Sequence, residues 1–314
     1  MNDPVTAEPG RIRVIGSLNV DLTLRVATLP VPGETILTSG RAQAFGGKGG
    51  NQAVAVATLG GDVELIGVVG GDADGRRYLD NLRQRRVQVS GVEVKGAAET
   101  GVAIVLVDKT GENLIAVHPG ANAALDPGWV RDQVRERHAS VTIAQLEVPV
   151  EALEAAATAL PTSETFVLNP APMVATPTVL AGLLSRADIL VPNRKELGQL
   201  AGLSEPTSLI EVDRCVERLA FTGTIVVTLG GEGAVVYEPD QPRRHHPAPT
   251  VKPVDTSGAG DAFCGALAVA LAHGSGLDEA VAWSVEVASR STLVAGAQLP
   301  PDFAAPALPV KSAT

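Results

Sequence analysis

The sequence predicts an α/β protein: a doubly wound, mainly parallel sheet with helices on both faces plus a small β-sheet lid, read as a single domain over residues 1–314. Short β-rich runs alternate with helical patterns along most of the chain, and alternating βα units imply a parallel sheet covered on both sides. Ala, Val, Leu and Gly are abundant while aromatic residues make up only 3%, which suits strands buried on both faces. Two stretches break the rhythm, about 21–42 and 92–117, where polar-alternating strands follow one another through turns with no helix between them. They would project as a lid over the carboxyl ends of the parallel strands, where ligands bind in this architecture. Extension of the main sheet is the other way to place them.

Along the chain, Met1 to Gly10 is a loose lead-in without the basic and apolar regions of a secretion signal. Arg13 to Gly16 is the first buried strand, followed by the first lid segment. A glycine-rich entry, Phe45 to Gly50, opens a helix over Asn51 to Leu59. Strand Val63 to Val69 and helix Gly75 to Arg85 precede the second lid segment. Next come helix Asp126 to Arg137, strand Val141 to Leu146, helix Val150 to Leu160 and strands Thr165 to Leu168 and Ile189 to Val191. Helices Arg194 to Ala201 and Leu209 to Phe221 lead to strand Ile225 to Leu229, and Pro and Gly punctuate most of these ends. Two helices, Asp261 to Ala272 and Leu277 to Val294, close the pattern. The Ala/Pro-rich stretch 300–314 has little periodicity and reads as a loose tail.

Composition narrows the functions. A hydrophobic share of 45% supplies a buried core. A net charge of −10, with no basic cluster longer than Arg243-Arg244, speaks against a nucleic-acid partner. The longest apolar run, Ala262 to Ala272, is shorter than the roughly 18 residues of a membrane span. Cys215 and Cys264 are far apart without metal or redox spacing, which fits a reducing, cytoplasmic setting.

The most informative string is Val254 to Phe263, VDTSGAGDAF. Gly258, Ala259 and Gly260 carry almost no side chain ahead of an apolar helix, so their N–H groups and the positive helix end can hold a phosphate. Asp261 then sits where a substrate hydroxyl meets that phosphate, the position of a general base in phosphoryl transfer. A plain glycine-rich helix entry is the bland alternative.

Other candidates stand at strand ends. Asn19 and Asp21, after the first strand, share a face if the chain is extended and suit a vicinal diol; the same pair also stabilises an ordinary turn. Gly47, Lys48 and Asn51 lie in the second glycine-rich loop. That loop is no nucleotide P-loop, because Ala42 and Gly49 stand where Gly and Ser or Thr would be required. Asn193 and Glu196 are one helical turn apart and can organise hydrated magnesium on phosphates or simply cap a helix. Glu147 is a further candidate sugar contact. Thr228, Leu229, Gly230, Gly231, Glu232 and Gly233 run from a strand into a glycine turn that can pass close to a nucleotide, or form a hairpin into Ala234 to Tyr237. His245-His246 lacks a third ligand and reads as a solvated loop.

These motifs, in this order, resemble the PfkB family of ribokinase-like carbohydrate kinases. The resemblance runs from about Val14 to Gln298, through GSLNVD, PGET, FGGKGGNQAVA, TGVA, GENLIAVHPGAN, QLEVP, LNPAP, PN-x-x-E, TLGGEG and DTSGAGDAF. It implies ATP-dependent phosphorylation of D-ribose at its 5-hydroxyl, with Asp261 as base and the amides of Gly258 to Gly260 as anion hole. It implies that Asn19, Asp21, Gly47, Lys48, Asn51 and Glu147 hold the sugar, that Asn193 and Thr228 to Gly233 face the nucleotide, and that Glu196 helps place Mg2+. An activating K+ is implied near Asp255, Ser257, Ser291, Val294, Gly296 and Pro300, and a homodimer through the lid. Departures are Arg194, where an acidic residue is common, Val285 where a polar one is common near the adenine, and Pro300, which offers only a carbonyl to the cation. The rival readings are a related kinase of deoxyribose, a nucleoside or another sugar, and a non-catalytic sugar-binding sensor.

Overall fold

The computed structural model describes residues 10–173 and 175–309. The lead-in expected before Gly10 and the tail beyond Pro309 lie outside the described residues. The chain begins with β1 (Ile12–Ile15), β2 (Asn19–Arg25) and β3 (Gly40–Gly46), then α1 (Lys48–Thr58), β4 (Val63–Gly70), α2 (Ala73–Gln84), β5 (Gln88–Lys95), β6 (Gly101–Val107) and β7 (Asn113–His118). It continues through α3 (Pro127–Glu136), β8 (Val141–Gln145), α4 (Val150–Ala159), β9 (Thr165–Asn169), α5 (Ala181–Arg186), β10 (Ile189–Leu190) and α6 (Arg194–Ala201). The last elements are α7 (Leu209–Leu219), β11 (Thr224–Thr228), β12 (Ala234–Tyr237), β13 (Arg244–His246), α8 (Ala259–Ala272) and α9 (Leu277–Ser291).

The large sheet has the order β13-β12-β11-β10-β9-β8-β1-β4-β5. It is parallel from β11 to β5 and turns antiparallel at the β12 and β13 edge. Its central strands are buried on both faces, as in all of β1 and β4, and this is why they read as continuous β-branched runs and not as alternating ones. Successive side chains feed opposite cores: Val14 joins the cluster with α1, α8 and α9, and Ile15 joins the one with α3, α4 and α6. Among the described residues no helix is long and apolar enough to cross a membrane.

The lid is a separate four-stranded sheet, β3-β2-β6-β7. The pairs β2–β3 and β6–β7 are antiparallel, and β2–β6 is parallel. Its expected bounds need two corrections. Val92 to Lys95 belongs to β5 and pairs with β4 in the large sheet, because Val92 buries its side chain against that core. At the other end β3 carries the lid on to Gly46, directly into α1.

The short helix α5 had no expectation in the sequence, and two smaller expectations are corrected. His245 and His246 lie in an edge strand, where their rings meet Glu232 O and Asp278 Oδ1. Residues 300–309 have no helix or strand, yet they are not loose: Trp283 Nε1 donates to Pro306 O at 3.1 Å, Arg290 Nη1 to Ala304 O at 3.2 Å and Ser275 Oγ to Pro309 O at 3.0 Å.

Candidate active site

The N-terminus of α8 is shaped by glycine. Gly258 caps the helix at φ 72°, and a Cβ there would collide with the carbonyl of Ala297. Gly260 has open space on its Cβ side. Ala259 N makes a long bond of 3.3 Å to Thr256 O, while first-turn amides such as those of Gly260 and Asp261 have no partner within a helix. From Asp261 to Ala270 the helix is buried on all sides, so apolar packing sets this N-terminus in place.

Asp261 is 6% exposed. Its Oδ2 accepts from Asn51 Nδ2 at 3.0 Å and its Oδ1 from Gln52 Nε2 at 3.1 Å, both from α1. The start of α1 is held in turn by Glu147, whose Oε2 accepts from Lys48 N at 3.0 Å and from Ser17 Oγ. Burial works against the Lys48 ammonium, but the carboxylates of Asp261, Glu147 and Glu196 outweigh it and raise its pKa above the ordinary value. Strand alternation in β2 places Asn19 and Asp21 on one face of the lid. Asn19 Oδ1 accepts from Asn122 Nδ2 at 2.8 Å. Burial, with Glu147 and Asp261 nearby, pushes the Asp21 carboxyl up to about 7.

A cleft of about 550 Å³ opens on the other side of Asp261. Lys48, Asn193, Glu196, Thr228, Gly230, Gly231, Gly233 and Gly258 to Asp261 line it, together with Val285 and the segment Ala248 to Val251. Lys48 and Asp261 thus stand between the cleft and the lid-side group of Asn19, Asp21, Gly47, Asn51 and Glu147, which do not line it. Asn193 and Glu196 form a capping box: Glu196 N donates to Asn193 Oδ1 at 2.8 Å and Asn193 N to Glu196 Oε2 at 2.9 Å. Burial raises the Glu196 pKa against the pull of its hydrogen bonds and of Lys48.

Two residues expected to face the nucleotide, Leu229 and Glu232, do not line the cleft. Leu229 is buried in the core, because the β11–β12 hairpin turns its side chain inward. Glu232 is exposed and accepts from Arg194 Nη2 at 2.7 Å, so the unusual Arg194 is engaged on the surface. Near the α8 N-terminus, Asp255 receives Ser257 N and Gly296 N at 2.9 Å each; these bonds overcome the effect of burial and lower its pKa. The segment of Ser291 and Val294 is tied to the same loop by Thr292 O, which accepts from Val254 N at 2.7 Å and from Asp255 N at 3.1 Å. The carbonyl of Pro300 accepts from Phe303 N at 3.1 Å.

A pattern described as pfkB family carbohydrate kinase matches residues 10–303 of this chain. The chain belongs to that family. Within it, the chain is 36% identical to the ribokinase of Schizosaccharomyces pombe over 295 residues, covering 90% of this chain and 91% of the relative. The Arabidopsis thaliana ribokinase complexed with ribose and ATP superposes with a TM-score of 0.82 at 28% identity, covering 92% of this chain and 94% of that one. The Thermotoga maritima ribokinase gives 0.80 at 31% identity, covering 91% and 94%. The family's motifs account for most of the strand-end residues singled out in the sequence. They left without a role four buried amides that the structure places around them: Asn122, Gln52, Gln145 and Asn169. Gln145 and Asn169 end two strands in the QLEVP and LNPAP strings, which was the signal available.

Proposed function

We propose that the protein transfers the γ-phosphoryl group of ATP to the 5-hydroxyl of D-ribose. The observation that carries this reading is the position of the buried Asp261, at a helix N-terminus between a nucleotide-sized cleft and a lid bearing Asn19 and Asp21. The sugar is held by Asn19, Asp21, Gly47, Lys48, Asn51 and Glu147, which offer carboxylate acceptors for neighbouring hydroxyls and a cation against them. Asp261 takes the proton of the 5-hydroxyl as that oxygen bonds to the γ-phosphorus and the bond to ADP breaks. The amides of Gly258 to Gly260 and the helix end stabilise the charge that spreads onto the phosphoryl oxygens.

Mg2+ fits the cleft wall, which Glu196 lines with a hard carboxylate; bound with ATP, it would neutralise phosphate charge. For K+, the loop that Asp255 gathers through Ser257 N and Gly296 N holds the residues the resemblance assigns, Asp255, Ser257, Ser291, Val294 and Gly296; bound there, it would brace the anion hole. The free cysteines Cys215 and Cys264 agree with a cytoplasmic setting. The test is ADP release from ATP with magnesium and potassium across ribose, 2-deoxyribose, fructose, adenosine and inosine. Turnover chiefly on ribose supports the reading. Preference for a nucleoside keeps the phosphoryl-transfer centre but overturns the sugar pocket.

A further inference from the structure

Beside Asp261, polar groups from four elements bond in a row. Gln145 and Asn169 are register partners at the carboxyl ends of β8 and β9. Gln52, fully buried on α1, accepts from Gln145 Nε2 at 2.5 Å through its Oε1. Its Nε2 donates to Asp261 Oδ1 at 3.1 Å and reaches Asn169 Oδ1 at 3.4 Å. Asn169 Nδ2 donates to the carbonyl of Val191, just past β10, at 2.8 Å.

The direction of this row follows from its ends. A backbone carbonyl only accepts, so Asn169 turns Nδ2 toward Val191 and leaves Oδ1 toward Gln52. Gln52 must then present Nε2 on that side, and its Oε1 remains for Gln145. Flipping either Gln52 or Asn169 alone would set oxygen against oxygen. The Gln52 amide is thereby aimed at Asp261 before substrate arrives, and a bond to an ionised carboxylate is of the stronger, charge-assisted kind.

We propose that Gln52 is a positioning residue for Asp261, oriented by Gln145 and Asn169, which fixes the plane of its carboxylate. The inference rests on the reading of Asp261 as the base. Gln52 exchanges no proton; the hydroxyl proton passes to Asp261 as the new O–P bond forms. Lys48 on α1, Asp21 on β2, Tyr78 on α2, Glu147 after β8, Glu196 on α6 and Cys264 on α8 are the other titratable groups acting on or near Asp261. All of them remain in the variants below, so differences between variants report the lost donor.

The experiment measures kcat and KM for ribose and ATP of wild type, Gln52→Met and Gln145→Leu, with thermal melting as the check on folding. Gln52→Met keeps length and removes the amide. It is expected to lower kcat by about tenfold or more and to leave both KM values within about threefold. Gln145→Leu keeps Gln52 but releases its orientation, and is expected to lower kcat by less, with both KM values again within about threefold. An unchanged kcat in folded Gln52→Met overturns the proposal, as does a raised KM with kcat intact. If Gln52→Met does not fold, an unchanged kcat in Gln145→Leu overturns it instead. Wild-type protein without turnover on any sugar would count against the functional reading itself, a result distinct from active wild type with indifferent variants.

Discussion

The Asp21 carboxyl, raised to about 7 by burial and by the neighbouring Glu147 and Asp261, is half protonated near neutral pH. A carboxyl whose folded pKa exceeds its unfolded one binds its proton more tightly in the folded protein. Its contribution to stability is therefore present below the ordinary carboxylate range and is lost as pH climbs to about 7. Asp21→Asn is accordingly expected to raise the melting temperature by about 1–3 °C at pH 8, and by less in mild acid. The same change removes an acceptor for the sugar hydroxyls and should lower kcat/KM for ribose by about tenfold or more. In wild type, KM for ribose should rise as pH falls below about 7, and this dependence should flatten in Asp21→Asn; steady-state kinetics across pH decides it. Asp261→Asn is expected to keep ribose and ATP binding within severalfold by calorimetry while removing nearly all turnover. Substantial residual activity would refute the base.

Within single elements, the entry to α8 is the most demanding piece of backbone. At Gly258 an alanine meets both a left-handed φ and the Ala297 carbonyl, a combined strain of about 1–3 kcal/mol or more. Gly258→Ala should lower the melting temperature and cut kcat by at least about a hundredfold, because relief of the clash moves the amides away from the phosphoryl oxygens. This entry was readable in the sequence because VDTSGAGDAF is contiguous: spacing, small residues and acid all fall within one turn. The amide row was not, because Gln52 lies 93 residues from Gln145 and 117 from Asn169, and only the β8–β9 pairing together with the packing of α1 against the sheet brings them together. Leu229 was misread for a related reason. A residue at a strand end can face a ligand or the core, and the hairpin register that decides between them is a tertiary property.

Taken as a whole, the molecule reads from its sequence where hydrophobic runs are long, as in β4 and α8, and less well where a lid strand and an edge strand share the same alternating pattern. That ambiguity assigned Val92 to Lys95 to the lid instead of to β5. The lid itself leaves apolar surface uncovered: on β7, Ile115 is 56% and Val117 51% exposed. They share rows with Val105 and Ala103 of β6 and with Thr23 and Asp21 of β2, hence the face that carries the sugar contacts. We propose a homodimer through this face. Ile115→Glu with Val117→Glu is expected to convert a dimer to monomer in sedimentation, with an unchanged melting temperature for the separated subunit; a wild-type monomer overturns it.

The lid is also rooted where the sugar would bind. Only three residues separate β1 from β2, and β3 runs into α1 with only Gly47 between them. Asn19 and Asp21 lie just beyond the first junction, and Lys48 and Asn51 just beyond the second. A swing of this sheet must therefore change the mutual distances of the very groups that hold the sugar. Ribose binding is therefore expected to be linked to the position of the lid, so amide hydrogen exchange in β2 and β3 should slow as sugar binds while exchange in β1 and β4 stays as it was.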